Sequence, residues 1–261
     1  MRFGSLFAGI GGMDLGLERA GMQCAWQVEI DPYARRVLEK HWPSVPRHDD
    51  VRTFPPEGDW SCDLICGGFP CQDISKAGHV QGERHGISGE RSGLWAEYIR
   101  IIRRLRPGFV LVENVAKLLV RGMGRILGDL ASLGMDAEWH CLPAAAVGAP
   151  HIRDRVFILA YTVSQRLRLS RRAPIARPTQ AIQAEAWQWQ RLWTHPYAVG
   201  PLDGVQGYGA DGSWNVEPGV DRVVDGLPFG VDRNRGLGNA VVPQVAEWLG
   251  ERIMEAVKES P

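Results

Sequence analysis

No run of roughly 18 apolar residues, the length a membrane-crossing helix needs, occurs in this sequence of 261 residues. Net charge is absent as well: 30 Lys and Arg balance 30 Asp and Glu. The whole surface is therefore not attracted to nucleic acid or to a lipid headgroup layer, and any such contact needs a local patch. The start, MRFGSLFAG, lacks the charged-then-apolar order of a signal peptide. Cysteine is scarce and odd in number, at five. Without an export signal, reduced thiols in a cytoplasm are expected. Cys62 and Cys66 have the spacing to share one face of a strand, but no second CxxC or HxxxH pair completes a four-ligand zinc set. Cys24 and Cys141 stand alone, so no metal site is expected. The lack of CxxC also counts against a thiol-redox protein. No internal repeat and no low-complexity tract is present.

What is there reads as an ordinary globular α/β chain. Apolar residues make up 44% and charged residues 23%. The first two-thirds alternates short apolar runs with amphipathic stretches, the pattern of a largely parallel sheet with crossover helices. Strands are expected near Arg2–Phe7, Gln23–Ile30, Asp63–Cys66, Phe109–Glu113, Ala137–Pro143 and Val156–Tyr161. Helices are expected at Gly12–Ala20, Pro32–His41, Leu94–Leu105 and Leu118–Leu133, and GNAVVPQVAEWLGERIMEAV reads as a turn with a closing amphipathic helix. Two stretches break the rhythm. Gln72 to Gly93 is a long glycine-rich loop, and loops of that length are usually functional. From about Thr162 to Arg235 there is little periodicity. Arg166, Arg168, Arg171, Arg172, Arg177 and Arg191 there are interleaved with Trp187, Trp189, Trp193 and Trp214, a composition suited to nucleic acid.

SLFAGIGGMDLGLERAG is a strand, a tight glycine turn and a helix in that order. A ribose-binding acid is expected roughly 20 residues further on, and Glu29 in WQVEIDP occupies that place. A dinucleotide fingerprint would require glycine at position 14, where Asp14 stands instead. An acid at a helix start repels the pyrophosphate that such a helix end would bind. A ligand with a ribose and no phosphate, such as S-adenosylmethionine, fits better.

A second constellation involves Cys71 in GGFPCQDIS, Glu113 in FVLVENV, and Arg153 and Arg155 in HIRDRVF. Glu113 stands at the carboxyl end of an apolar strand, where open α/β sheets collect ligands. Arg153 and Arg155 alternate at the expected start of a strand, which would turn both to one face. A pair of surface arginines is common, but a pair on a face that also carries a thiol and an acid is not.

FAGIGG, GGFPCQ, ENV, RDR and GLGNAVVP, in that order, resemble the motif set of the DNA cytosine-5 methyltransferases. The resemblance covers Arg2 to about Tyr161 and again Arg235 to about Gly250. It implies an α/β fold of the S-adenosylmethionine-dependent, Rossmann-like type, a mostly parallel sheet with helices on both faces, plus a small irregular target-recognition lobe. The catalytic domain would then be residues 1–161 with 236–261, and the lobe 162–235. It implies Cys71 as the nucleophile, Glu113 as the acid on the pyrimidine, and Arg153 and Arg155 as donors that orient the base. For the cofactor it implies Phe7 stacked on the adenine, Glu29 on the ribose and Asp50 on the adenine amine. Pro70, Leu94 and Asn239 would line the pocket, with Ala8, Gly9, Gly11, Gly12, Ile30, Val51 and Ala240 beside them. The 72–93 loop would be a lid over DNA, and the last helix would fold back on the glycine turn.

The implied partners are S-adenosyl-L-methionine and double-stranded DNA, with no membrane and action as a monomer. The resemblance also admits a cognate restriction endonuclease in the same system. Where the family often carries Asp, an aromatic and Gln, this chain has Ser5, Ile30 and His151, and its variable segment is short. Two other readings stay open at this point: a tRNA cytosine-5 methyltransferase with the same catalytic set, and a non-catalytic DNA-binding protein on the same fold.

Overall fold

The structure is a computed structural model and describes residues 1–70, 93–147, 151–162, 165 and 236–258. Cys71, the rest of the expected lid up to residue 92, and the arginines and tryptophans of the expected lobe lie outside the described residues. The chain divides into two compact units, Met1–Ala176 with Ala240–Pro261, and Arg177–Asn239. The first unit carries the sheet and the helices on both of its faces.

Among the described residues the elements run β1 (Arg2–Leu6), α1 (Gly12–Arg19), β2 (Gln23–Val28), α2 (Pro32–His41), β3 (Arg47–His48), β4 (Leu64–Gly67), α3 (Leu94–Leu105), β5 (Phe109–Val115), α4 (Leu118–Arg121), α5 (Met123–Ser132), β6 (Met135–Pro143), β7 (Asp154–Thr162) and α6 (Pro243–Lys258). The strands form one sheet in the order β3-β2-β1-β4-β5-β7-β6. β3, β2, β1, β4 and β5 pair in parallel, while β7 runs antiparallel to both β5 and β6. Parallel neighbours need a crossover, and helices connect β1 to β2 and β4 to β5. β6 ends at Pro143 and β7 begins at Asp154, an interval too short for a crossover helix, and the two strands pair antiparallel.

The strand pattern explains why helices cover both faces. Along β4, β5 and β7 successive side chains alternate between two cores: Ile65, Val110, Val112, Val156 and Ile158 face one, and Leu64, Cys66, Phe109, Leu111, Phe157 and Leu159 the other. The first core is closed by α3 and α5 through Trp95, Tyr98, Ile102, Ile126 and Leu130. The second is closed by α1 and α6 through Met13, Leu17, Val245, Ala246 and Ile253. Each fully buried large apolar side chain contributes about 1.5–3 kcal/mol, and Trp26, Trp95, Phe54 and Leu17 are all below 2% exposed. The two terminal helices meet at a small-residue seam. A β-carbon on Gly16 would lie 2.2 Å from the Pro243 carbonyl oxygen, so α1 admits α6 this closely only because that side chain is missing. The expected return of the last helix onto the start of the chain is therefore present. Among the described residues no helix is long and apolar enough to cross a membrane.

Three local expectations are corrected, and one short strand is added. The single helix expected over Leu118–Leu133 is two, because the amide of Gly122 closes α4 on Leu118 and the Gly122 carbonyl then opens α5. β3 is a two-residue strand too short to leave a periodic signal. β4 starts at Leu64, so alternation does not reach Cys62: it packs against the first core while Cys66 faces the second. Arg153 precedes β7 in a left-handed backbone turn, φ 39°, so it does not share the strand alternation of Arg155.

Candidate active site

The carboxyl ends of β1, β2, β4 and β5 and the start of antiparallel β7 form one edge of the sheet. There the expected site residues gather in two groups. The first surrounds the turn between β1 and α1. Phe7 leaves β1 with a left-handed backbone, φ 53°, followed by Gly9 at φ 57° and Gly11 at φ 82°. These left-handed excursions at alternate residues compress the chain into a tight turn. The turn is fastened by its backbone: Ala8 N–H donates to the Val28 carbonyl at 3.1 Å, and Gly11 N–H to the Ala8 carbonyl at 3.0 Å. The Phe7 ring is half-buried, 6.2 Å from the Tyr98 ring beneath it.

Glu29 leaves β2 beside this turn and is 9% exposed. Gly9 N–H and Asp31 N–H each donate to one of its carboxylate oxygens at 2.7 Å. Burial pushes its carboxyl above the usual range, against these amide hydrogen bonds. Each oxygen keeps a second lone pair, enough for a pair of vicinal hydroxyls. Among the described residues, nothing lies within 4 Å of where a β-carbon on Gly9 would stand. Asp31 caps α2 by accepting from the Tyr33 and Ala34 amides. A ribose-bearing ligand with an aromatic base fits this set, and a pyrophosphate does not, because the carboxylate of Asp14 is buried in the first turn of α1. Ala8, Gly12 and Ile30 sit on the same turn and strand end. Val51 is buried behind it, and its carbonyl accepts from Arg100 Nη2 at 2.8 Å. Asp50, expected on an adenine amine, is held by its own neighbour: Arg52 Nη2 reaches Oδ2 at 2.6 Å and Arg52 Nε reaches Oδ1 at 2.9 Å. That guanidinium keeps the Asp50 carboxyl below its usual range.

The second group lies at β4, β5 and β7. Glu113 on β5 is 9% exposed and ion-paired to Arg155 Nε through Oε1 at 3.0 Å. Burial raises its carboxyl above the ordinary range; the attraction of Arg155, and then of Arg153, opposes that rise. Its other oxygen lies against Gly68, where a β-carbon would come within 2.4 Å. Glycine at 68 is thus required for the carboxylate to reach this place. Arg153 instead donates through Nη2 to the Ala240 carbonyl at 2.7 Å, tying the arginine motif to the segment before α6. Pro70 and Leu94 are half-buried on either side of the undescribed segment that begins at Cys71. Asn239 belongs to the second unit and is exposed.

The family model of the C-5 cytosine-specific DNA methylases matches residues 1–192. The chain belongs to that family. Among curated methylases it is 39% identical over 171 residues to the type II methyltransferase M2.BsuMI of Bacillus subtilis, a match covering 61% of this chain and 42% of the relative. It is 35% identical over 201 residues to the type II methyltransferase M.AluI of Cellulosimicrobium cellulans, covering 70% and 37%. The crystal structure of a DNA modification methyltransferase encoded within an E. coli prophage superposes with a TM-score of 0.53 at 28% identity, covering 64% of this chain and 48% of that one. The matches thus span about two fifths of the length of the curated methylases. The fold is the Rossmann-like one of S-adenosylmethionine-dependent methyltransferases.

Several side chains that organise this methylase edge escaped the reading of the sequence. Asn114, within the ENV motif, donates through Nδ2 to the Phe69 carbonyl at 3.1 Å and so ties the GGFPC strand end to β5. Gly68 makes room for Glu113. Beneath the glycine turn, Ser5, Asp14 and Gln27 form a buried polar cluster. Their signal was available: polar residues inside the apolar runs RFGSLF and CAWQV must find partners.

Proposed function

We propose that this chain is a DNA (cytosine-5-)-methyltransferase, transferring a methyl group from S-adenosyl-L-methionine to C5 of a flipped-out cytosine in a specific duplex DNA sequence. The observation that carries the reading is the buried Glu113–Arg155 pair at the carboxyl end of β5, against the strand end that leads into Cys71. Family membership and the type II methyltransferase relatives support it.

Carbon 5 of cytosine is a poor nucleophile because the ring is aromatic and electron-poor. The Cys71 thiolate adds to C6, and the bond it forms breaks the aromaticity and pushes an electron pair toward C5 and N3. Glu113, whose burial favours the protonated form, hydrogen-bonds N3 and the exocyclic amine and stabilises that electron density. Arg155 holds the Glu113 carboxyl in place and orients the base; Arg153 fixes the neighbouring backbone at Ala240. S-adenosylmethionine, when bound, supplies a methyl group on a positively charged sulfur, which the enamine-like C5 can take. Transfer of the C5 proton to water and elimination of the thiolate then restore the aromatic ring. The target base leaves the duplex to reach the thiol, since C6 is inaccessible inside the stack.

For the cofactor, Phe7 supplies the stacking face and Glu29 the ribose acceptors, with Pro70 and Leu94 as further lining residues. Asp50 would contact an adenine amine only by sharing its carboxylate with Arg52. The basic, tryptophan-rich 162–235 segment is the target-recognition lobe in this reading. The enzyme acts as a monomer in the cytoplasm of a bacterial or phage-infected cell, with a restriction endonuclease as its counterpart in the same system. The test is methyl transfer from radiolabelled S-adenosylmethionine to duplex DNA and, in parallel, to tRNA. Label in DNA cytosines supports the reading, label confined to tRNA replaces the substrate, and label in neither rejects it.

A further inference from the structure

Methyl transfer by Cys71 and Glu113 leaves one buried carboxylate unused. Asp14 is completely buried in the first turn of α1. Ser5 Oγ donates to its Oδ2 at 2.9 Å from β1, and Gln27 Nε2 donates to its Oδ1 at 2.9 Å from β2. The Cys24 thiol approaches Oδ1 at 3.8 Å. Three elements therefore converge on a single side chain: β1 and α1 flank the glycine turn, and the end of β2 is hydrogen-bonded to it. Ser5 stands two residues before Phe7, Gln27 two residues before Glu29, and Asp14 three after Gly11. Above this cluster the same elements are joined once more, by Gly9 N–H to Glu29 and Ala8 N–H to the Val28 carbonyl. The turn is thus held between two sets of hydrogen bonds, one facing solvent and one sealed in the core.

We propose that Asp14 is a positioning residue for the cofactor turn, acting through its hydrogen bonds to Ser5 and Gln27 rather than through its charge. The proposal rests on reading the Phe7–Gly12 turn as part of the S-adenosylmethionine site. A carboxylate is an expensive choice for this place. Its neighbours are neutral donors, no cation pairs with it among the described residues, and Glu18 on the same helix disfavours its ionisation. An apolar side chain would suit the core better, but it could not fix the spacing of β1, β2 and α1 at once. Burial raises the Asp14 carboxyl to about 6, so the group exchanges its proton near neutral pH. Protonated, it still accepts from Gln27 on Oδ1 and can donate to Ser5 from Oδ2, so the brace survives in both states.

The test compares Asp14→Ala, Asp14→Asn and Ser5→Ala with Glu29→Ala, by calorimetric binding of S-adenosylmethionine and by steady-state methylation. Asp14→Ala should weaken donor binding about tenfold, the scale of a buried hydrogen-bond partner lost, with the loss in donor KM rather than kcat. Asp14→Asn, which keeps an acceptor for Gln27 and a donor for Ser5, should restore affinity. If Asp14→Ala does not fold, Ser5→Ala carries the test, with a smaller loss of the same kind. Donor affinity unchanged in Asp14→Ala, or in Ser5→Ala where that variant stands in, overturns the proposal; so does an Asp14→Asn as weak as Asp14→Ala. Glu29→Ala separates the two claims: if it loses affinity while Asp14→Ala does not, the cofactor site stands and the brace falls. A wild-type protein that binds no S-adenosylmethionine removes both.

Discussion

Asp14 and Glu113 are both buried carboxylates at one edge of one sheet, and they are held in opposite ways. Asp14 meets only neutral donors and is sealed under the glycine turn. Glu113 has a guanidinium beside it, and its second oxygen lies against Gly68. Burial raises both carboxyls, yet only Glu113 has cations offsetting that rise. In the proposed reading, one fold makes two uses of a desolvated acid. In that reading, neutral hydrogen bonds fix Asp14 as a strut, whereas the cations beside Glu113 hold its carboxyl where a base would meet it.

The largest effect that would sharpen this contrast is expected at Glu113. Glu113→Gln should lower kcat by roughly 10²–10⁴-fold, the range of a lost general acid, with thermal stability little changed. Single-turnover methylation and a melting curve check both halves. Next is Arg155→Ala, which leaves Glu113 buried without its nearest cation. Removing one partner of a buried pair costs about 3–5 kcal/mol, reduced here because Arg155 is 23% exposed. The sign with pH comes from the raised carboxyl. A folded pKa above the unfolded value means stability is fully present below the unfolded pKa and is lost as pH rises through the folded one. Arg155→Ala should therefore destabilise more at pH 8 than at pH 5 in urea titrations.

Asp14→Asn should act in the other direction. With the Asp14 carboxyl raised from 3.8 to about 6, the wild type loses stability between those values as pH rises. A neutral amide escapes that loss, by as much as about 3 kcal/mol above pH 6. Denaturant melts at pH 4 and pH 8 should converge at the lower pH and separate at the higher. The smallest effect is expected for Ser5→Ala, about 1 kcal/mol for one donor to a buried carboxylate. It should also lift the Asp14 titration further, visible by carboxyl NMR.

The sequence made some parts of this site legible and hid others for identifiable reasons. α2 and α3 have the expected bounds because Asp31 caps the first, ahead of Pro32, and Pro107 follows the second closely. The β1–turn–α1 unit and the place of Glu29 were readable because glycine backbone requirements and strand length act locally. The hairpin of β6 and β7 was hidden within a largely parallel expectation, although the short stretch between them leaves no room for a crossover helix. Arg153 was misdirected because its left-handed turn lies one residue before the strand begins. The Asp14 brace was missed because its partners lie 9 and 13 residues away, on different strands, and no local spacing encodes such a meeting.

The central claim is a covalent bond between the thiol of residue 71 and the pyrimidine. Incubation with S-adenosylmethionine and a duplex carrying 5-fluorocytosine at the cognate site, followed by intact mass and peptide mapping, tests it directly. The expected result is a stable adduct of protein and methylated oligonucleotide on Cys71, absent in Cys71→Ser. Methyl transfer without such an adduct, or an adduct that persists in Cys71→Ser, would contradict it.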